Sequence, residues 1–255
     1  MSYAIYPSLK GRPVVITGGG SGIGAEMVGA FARQGARVHF IDVSESDARQ
    51  VQGALAAEGL HTCFRQCDLR DLDAVGTVFA GIVDDAGPIE VLVNNAGNDD
   101  RHQVDAVTPS YWDDRIAVNL RHQFFCAQLV AASMRTIGRG VILNMGSASW
   151  HVAVPNLSVY MTAKAGIEGL TRGLARDLGG HGIRVNCIVP GAVRTPRQTQ
   201  LWQTPESEAK LLESQCFPER IEPEHVARMA LFLASDDAAR CSGREYFVDA
   251  GYFGA

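Results

Sequence analysis

Tyr160 and Lys164 stand four residues apart in Ser158–Leu178, where Val159, Ala163, Ile167, Leu170, Leu174 and Leu178 recur at helical spacing. Four residues on a helix means one shared face, so the phenol and the ammonium are neighbours. A free tyrosine ionises near pH ~10 and is a poor base at neutral pH. A nearby ammonium favours the phenolate, and each unit of lowering corresponds to about 1.4 kcal/mol. The pair could therefore take a proton from a hydroxyl. On its own it is weak evidence, because helix faces carry such pairs by chance.

A glycine-rich turn suggests what would accompany that proton transfer. Thr17-Gly18-Gly19-Gly20-Ser21-Gly22-Ile23-Gly24 follows an apolar run and opens a helical segment. Glycines allow positive φ and a close approach of backbone to a pyrophosphate, while the helix start offers free N–H groups and a positive dipole end. The strand-turn-helix context makes this a dinucleotide site rather than a mere tight turn. Asp42 ends the next apolar run, 18 residues beyond Gly24, near the spacing at which a carboxylate accepts from an adenine-side ribose. A carboxylate there repels a 2′-phosphate, and Ser21 and Ser44 supply no cation to attract one. NAD is the expected cofactor, in preference to NADP.

The elements that must position these groups alternate along the chain. Strands are expected at Pro13–Thr17, Arg37–Asp42, Thr62–Gln66, Ile89–Asn94, Val141–Met145, Arg184–Val189 and Glu245–Val248. Helical periodicity marks Gly24–Gln34, Ser46–Glu58, Leu72–Asp84, Trp112–Ile137 and the Tyr160 segment. Apolar strands separated by helices imply a doubly wound α/β fold, a mostly parallel sheet of about seven strands of the Rossmann type. No repeat or composition break divides residues 1–255, so one domain is expected. Thr195–Arg220 is poorly patterned and follows the sixth strand, where a substrate lid is expected.

Composition narrows the class further. The chain has 255 residues, 46% hydrophobic and 20% charged, with a net charge of −5. That is enough to bury a core without disulfides or metal. Charges of both signs are interspersed and no basic run would neutralise phosphates, so nucleic acid is not an expected partner. No apolar stretch approaches the ~20 residues of a membrane span, and Met1–Lys10 lacks the pattern of a signal peptide. A cytoplasmic location is expected, with the six cysteines kept as thiols. His61, Cys63 and Cys67 lack a second ligand pair, so no metal site is expected.

Taken together, these motifs resemble the short-chain dehydrogenase/reductase family over nearly the whole length. The landmarks are the glycine turn, Asp68-Leu69, Asn94-Asn95-Ala96-Gly97, Asn119, Ser147, Tyr160-x-x-x-Lys164, Pro190-Gly191 and Thr195. The resemblance implies that Tyr160 is the base and that Ser147 hydrogen-bonds the reacting oxygen. Lys164 would lower the Tyr160 pKa and hold the nicotinamide ribose, and Asn119 would place a water continuing the proton relay. Gly18, Ser21, Gly22, Ile23, Gly24, Asp42, Asp68, Leu69, Asn95, Ala96, Gly97, Pro190, Gly191, Val193 and Thr195 would line the cofactor with Tyr160 and Lys164. It also implies a homotetramer, which the small residues Gly166, Gly169 and Gly173 of the Tyr160 helix would suit.

Polar residues crowd the same region: Asn98-Asp99-Asp100-Arg101-His102, Arg121-His122, Ser149-Trp150-His151 and Asn156. Unpaired buried polar groups cost about 1–3 kcal/mol each, so a polyhydroxylated substrate fits them better than an acyl chain or a steroid. The segments Ala4–Gly11, Asn94–His102, Asn119–His122, Ser147–His151 and Phe247–Gly251 are similar to a narrower group, the bacterial D-xylose 1-dehydrogenases. That similarity implies oxidation of an aldose at its anomeric hydroxyl to the lactone with NAD. L-arabinose, D-galactose or L-fucose would fit the same chemistry. Asp99, Ser149, His151 and Asn156 are the expected grips on the sugar, beside Ser147 and Tyr160, with Trp202 as a lid aromatic. The alternatives are a reductase of 3-oxoacyl or other carbonyl compounds and a non-catalytic NAD-sensing regulator.

Overall fold

The computed structural model describes residues 3–254; Met1, Ser2 and Ala255 lie outside them, as does that part of the amino-terminal reading. The elements run β1 (Pro13–Thr17), α1 (Gly22–Arg33), β2 (Arg37–Asp42), α2 (Glu45–Ala57), β3 (Thr62–Gln66), α3 (Leu72–Ala86) and β4 (Val91–Asn94). They continue as α4 (Pro109–Ile116), α5 (His122–Ile137), β5 (Gly140–Met145), α6 (Ser158–Leu178) and β6 (Ile183–Pro190). Last come α7 (Pro196–Leu201), α8 (Pro205–Glu213), α9 (Pro223–Ala234) and β7 (Glu245–Val248). All seven strands are parallel, in the order β3-β2-β1-β4-β5-β6-β7. This is the expected doubly wound sheet. Its order reverses between β1 and β4, which opens a crevice at their carboxyl ends.

The period of two along each strand sorts side chains between two cores. Val14 and Ile16 of β1, Val91 and Val93 of β4, and Val141 and Leu143 of β5 meet Met27 and Phe31 of α1 and Leu231 of α9. Val15, Leu92 and Ile142 face the other way, against Phe79 and Ile82 of α3, Met134 of α5 and Leu178 of α6. Both faces are covered, so the central strands are apolar on both sides along most of their length. Each fully buried Phe, Ile or Leu contributes roughly 1.5–3 kcal/mol.

Three expectations change. The segment expected as one helix, Trp112–Ile137, is interrupted by a π-helical turn at Ala117–Arg121, and Asn119 sits inside it. Such turns recur at functional sites because they re-aim a backbone without ending the helix. Thr195–Arg220, expected to be irregular, forms α7 and α8. Both begin Thr-Pro: the Thr195 and Thr204 hydroxyls accept the Gln198 and Ser207 N–H groups at 3.3 and 3.1 Å, and proline fills the first helical position. The fourth strand begins at Val91 rather than Ile89. Among the described residues no helix is long and apolar enough to cross a membrane, no acid, histidine and cysteine group could hold a metal, and all six cysteines are free.

A buried polar ladder crosses the sheet just below the crevice. Asn94 and Asn144 are register partners on β4 and β5, both fully buried. The Asn94 amide donates to Asn144 Oδ1 and to the Gln123 carbonyl, each at 3.0 Å, and the Asn144 amide donates to Thr171 Oγ1 at 3.0 Å. The ladder ties α5 and α6 to the strand ends. Asn144→Ala leaves Asn94 short of an acceptor in a dry site. It is expected to lower stability by about 2 kcal/mol in urea unfolding; an unchanged midpoint would show that the ladder adds nothing.

Candidate active site

The crevice holds a cleft of about 1630 Å³. Small-ligand pockets run to ~1,000 Å³, so there is room here for a dinucleotide and a small substrate together. Its floor begins at the glycine turn. Gly18 adopts φ +67, and a Cβ on Gly24 would lie 1.8 Å from the Gly18 carbonyl, so the start of α1 can approach the turn only with glycine there. Ser21 precedes α1 without a side-chain cap bond, which leaves the first-turn N–H groups to an anion.

Asp42 closes one end of the cleft. One carboxylate oxygen accepts the Gly20 N–H at 2.8 Å and the other the Ser44 N–H at 2.9 Å. Two of its roughly four lone-pair sites remain for hydroxyls. Asp68 lines the next stretch with Leu69, its carboxyl held below the usual range by hydrogen bonds from Arg70. The Thr17 hydroxyl, absent from the sequence reading, accepts the N–H groups of Asn95 and Ala96 at 3.0 and 3.1 Å. Asn95 in turn donates to the carbonyls of Thr17 and Gly18, both at 3.0 Å. β1 and β4 are thus laced together where the cleft opens. Ile23, Gly97, Pro190, Gly191, Val193 and Thr195 line the cleft with the rest of the residues expected around a cofactor. Thr195 has a second duty as the cap of α7, and its methyl faces Gly22 across the cleft.

Tyr160, Lys164 and Ser147 meet at the inner end. Lys164 Nζ donates to the Met145 carbonyl at 2.8 Å and lies 5.3 Å from the Tyr160 ring centre. Burial pushes the Lys164 ammonium down to about 8, opposed by the Asp99 carboxylate. Tyr160 differs from expectation. Burial raises its pKa, Asp99 raises it further, and only the Ser147 hydroxyl pulls it down. Within the protein's own groups desolvation and Asp99 outweigh the Ser147 hydrogen bond, so the phenol is protonated at neutral pH. Ser147 Oγ donates to Ser149 Oγ at 2.9 Å.

Asn119 is fully buried behind the cleft wall. Its amide donates to the carbonyls of Asn98 and Arg115 at 3.0 and 2.9 Å and accepts the Asn98 N–H at 2.8 Å. One N–H holds the loop after β4 and the other the end of α4, so both are used.

Of the expected sugar grips, Asp99, Ser149 and Trp202 line the cleft, but His151 and Asn156 do not. His151 turns into a buried aromatic group against Glu168, and Asn156 is an exposed turn residue with φ +63. Nor do Arg121 and His122 face the centre. Arg121 donates to the Arg70 carbonyl, and buried His122 bonds the Ala96 carbonyl with its pKa pushed down to about 4, first by burial and then by Lys164. Sequence reading missed Arg197 and Gln198 of α7, which hold Asp99. Arg197 also pairs with Asp100, which Arg115 holds at 3.0 Å. Arg101 lies over the Trp202 ring, 4.3 Å from its centre.

Comparison with known proteins meets this geometry here. The family model described as Enoyl-(Acyl carrier protein) reductase matches residues 18–253. A D-xylose 1-dehydrogenase of Caulobacter vibrioides is 56% identical over 252 residues, which is 99% of this chain and 100% of that protein. The chain belongs to the short-chain dehydrogenase/reductase family. It is an oxidoreductase of that family, whose dehydrogenases use nicotinamide cofactors. A galactose dehydrogenase, GalD, of Rhizobium meliloti is 45% identical over 97% of both chains. A solved relative from Beutenbergia cavernae is 31% identical with a TM-score of 0.91, covering 97% of this chain and 99% of that one, and it holds NADP. Shared architecture therefore does not by itself select NAD or NADP.

Proposed function

We propose that this chain oxidises the C1 hydroxyl of an aldose, a pentose or hexose such as D-xylose or L-arabinose, to the lactone with NAD. The observation that carries the reading is 56% identity from end to end with a D-xylose 1-dehydrogenase. The hydroxyls and carboxylate around Tyr160 support it, because a polyol satisfies them where an acyl chain would strand them. Asp42 supports NAD, since its carboxylate, held by the Gly20 N–H, repels a 2′-phosphate.

The nicotinamide, when bound, supplies the hydride acceptor and a positive ring charge beside the phenol. Tyr160 takes the proton from O1 as C1 gives up its hydrogen with the bonding pair, and the C1–O1 bond becomes the lactone carbonyl. Ser147 turns its one O–H from Ser149 to O1 and holds O1 within reach of the phenol. Lys164, fixed by the Met145 carbonyl, sets a positive charge behind Tyr160 and steadies the ribose. Asn119 is a positioning residue whose amide holds the loop after β4; a relay water would need its remaining lone pair or its main-chain carbonyl. Asp99, Ser149 and Trp202 bound the sugar from the α7–α8 side, where residues 195–220 form a lid hinged on the Asp99 bonds to Arg197 and Gln198.

We also propose a homotetramer. Trp112, Phe124 and Leu129 are 39–41% exposed on α4 and α5, and Gly169 and Gly173 of α6 have open space before them. Gly166 is different: a Cβ there would meet Leu120 of the same chain at 3.0 Å. Sedimentation at micromolar concentration is expected to give four chains, and a monomer would refute the assembly.

A panel of pentoses and hexoses with NAD+ should yield NADH absorbance, and Tyr160→Phe should cut turnover by about 10²-fold or more. No turnover on any aldose would end the sugar reading, and faster turnover with NADP+ would end the Asp42 reading. The pH dependence has a definite sign. The base must be deprotonated, and its pKa is raised, so activity rises with pH across the neutral range. Asp99→Asn removes a charge that raises both Tyr160 and Lys164 while keeping an acceptor for α7. The rising limb should move to lower pH in that variant; an unmoved or higher limb would contradict the electrostatic assignment.

A further inference from the structure

Glu168 lies one turn beyond Lys164, so Tyr160, Lys164 and Glu168 follow at four-residue steps along one face of α6. It is 7% exposed and lies outside the cleft lining. One carboxylate oxygen accepts the Trp150 indole N–H at 2.9 Å and meets His151 Nε2 at 2.8 Å. A carboxylate only accepts, so Nε2 carries the proton in this contact. Trp150 and His151 follow Ser147 by three and four residues. Their rings lie 3.8 Å apart, and His151 packs on Phe247 of β7 and on Phe253 at 4.9 and 4.5 Å.

The segment between Ser147 and α6 has no strand or helix ladder to hold it. At its base the Ala148 N–H bonds the Pro190 carbonyl at 2.9 Å, and near α6 the Asn156 carbonyl accepts the His102 N–H at 2.9 Å; between them lie local turn bonds, with left-handed backbone at Ala153 and Asn156. The two bonds to Glu168 are what join its middle to the helix that carries Tyr160. The Ser147 and Ser149 hydroxyls bond each other and the Ser149 N–H bonds Ser147 Oγ, so a shift of the following residues turns Ser147 as well.

We infer that Glu168 is a positioning residue: through Trp150 and His151 it sets the distance from the Ser147–Ser149 hydroxyls to Tyr160. The inference rests on the roles proposed above for Ser147 and Tyr160. Reacting groups tolerate roughly 0.5 Å of displacement. One helix face would then hold the base, its ammonium and the strut that registers the opposing hydroxyl.

The test compares Glu168→Ala with Glu168→Gln, which keeps an acceptor oxygen. Steady-state kinetics on the aldose are read beside NADH affinity by fluorescence. Glu168→Ala is expected to lose 10- to 100-fold in kcat/KM for the sugar with NADH affinity within two-fold, and Glu168→Gln to recover to within about five-fold of the wild type. A purely structural role would instead lower the active fraction without changing KM, and would lower the stoichiometry of NADH binding in step with kcat. Either that pattern or a Glu168→Ala protein within two-fold of wild type overturns the inference. If Glu168→Ala does not fold, Trp150→Phe keeps the ring packing and deletes one bond; it should show the same selective loss at smaller size, and no loss overturns the inference. If the wild type oxidises a different alcohol, the aldose reading fails, but the same ratios on that alcohol still decide the role of Glu168.

Discussion

As the proposed base, Tyr160 must give up a proton in surroundings that hold the proton on. Burial and the Asp99 carboxylate both favour the neutral phenol, and burial also drives the Lys164 ammonium down to about 8. Much of the surrounding structure answers that tension. The Met145 carbonyl fixes the ammonium and the Ser147 hydroxyl leans on the phenol, and a nicotinamide bound in the cleft would add its positive charge to them. A desolvated site makes each of these charges count for more than it would in water. An exposed tyrosine would ionise more easily, near its ordinary pKa of ~10, but would lose that leverage.

The sheet supplies the rigidity on which such placement depends. Its order reverses between β1 and β4, and polar bonds are concentrated there: Thr17 with Asn95 and Ala96 above, Asn94 with Asn144 and Thr171 below. These are buried, directional contacts in an otherwise apolar interior, and they fix which strand end faces which. The lip outside is looser. Asp99, Asp100, Arg115 and Arg197 are partly solvated, and pairs of that kind contribute about 0–1 kcal/mol each. A firm floor with a weakly tied rim suits a site that must admit both a dinucleotide and a sugar.

The strands and the glycine turn were legible in the sequence because short continuous apolar runs and a strand-glycine-helix succession leave local marks. The Tyr160 helix was legible for the same reason. α7 and α8 were hidden by their length: six and nine residues show no sustained stripe, although Thr195-Pro196 and Thr204-Pro205 carried the start signals. The π turn at Asn119 leaves no periodic trace at all. His151 and Asn156 were placed at the sugar by proximity in sequence to Ser147, but side-chain direction depends on a partner far along the chain, here Glu168 for His151. The phenol pKa failed for a related reason, since spacing reveals the ammonium and conceals the desolvation.

Hydride transfer from C1, with Tyr160 taking the O1 proton, is tested most directly by isotope. D-xylose deuterated at C1 is incubated with NAD+, and the reduced nucleotide and the sugar product are examined by NMR and mass spectrometry. One deuterium is expected on the nicotinamide ring of NADH, none at C1 of a product that has become the lactone, and turnover slowed relative to unlabelled sugar. Deuterium retained at C1, with unlabelled NADH formed from another carbon, would contradict the assignment.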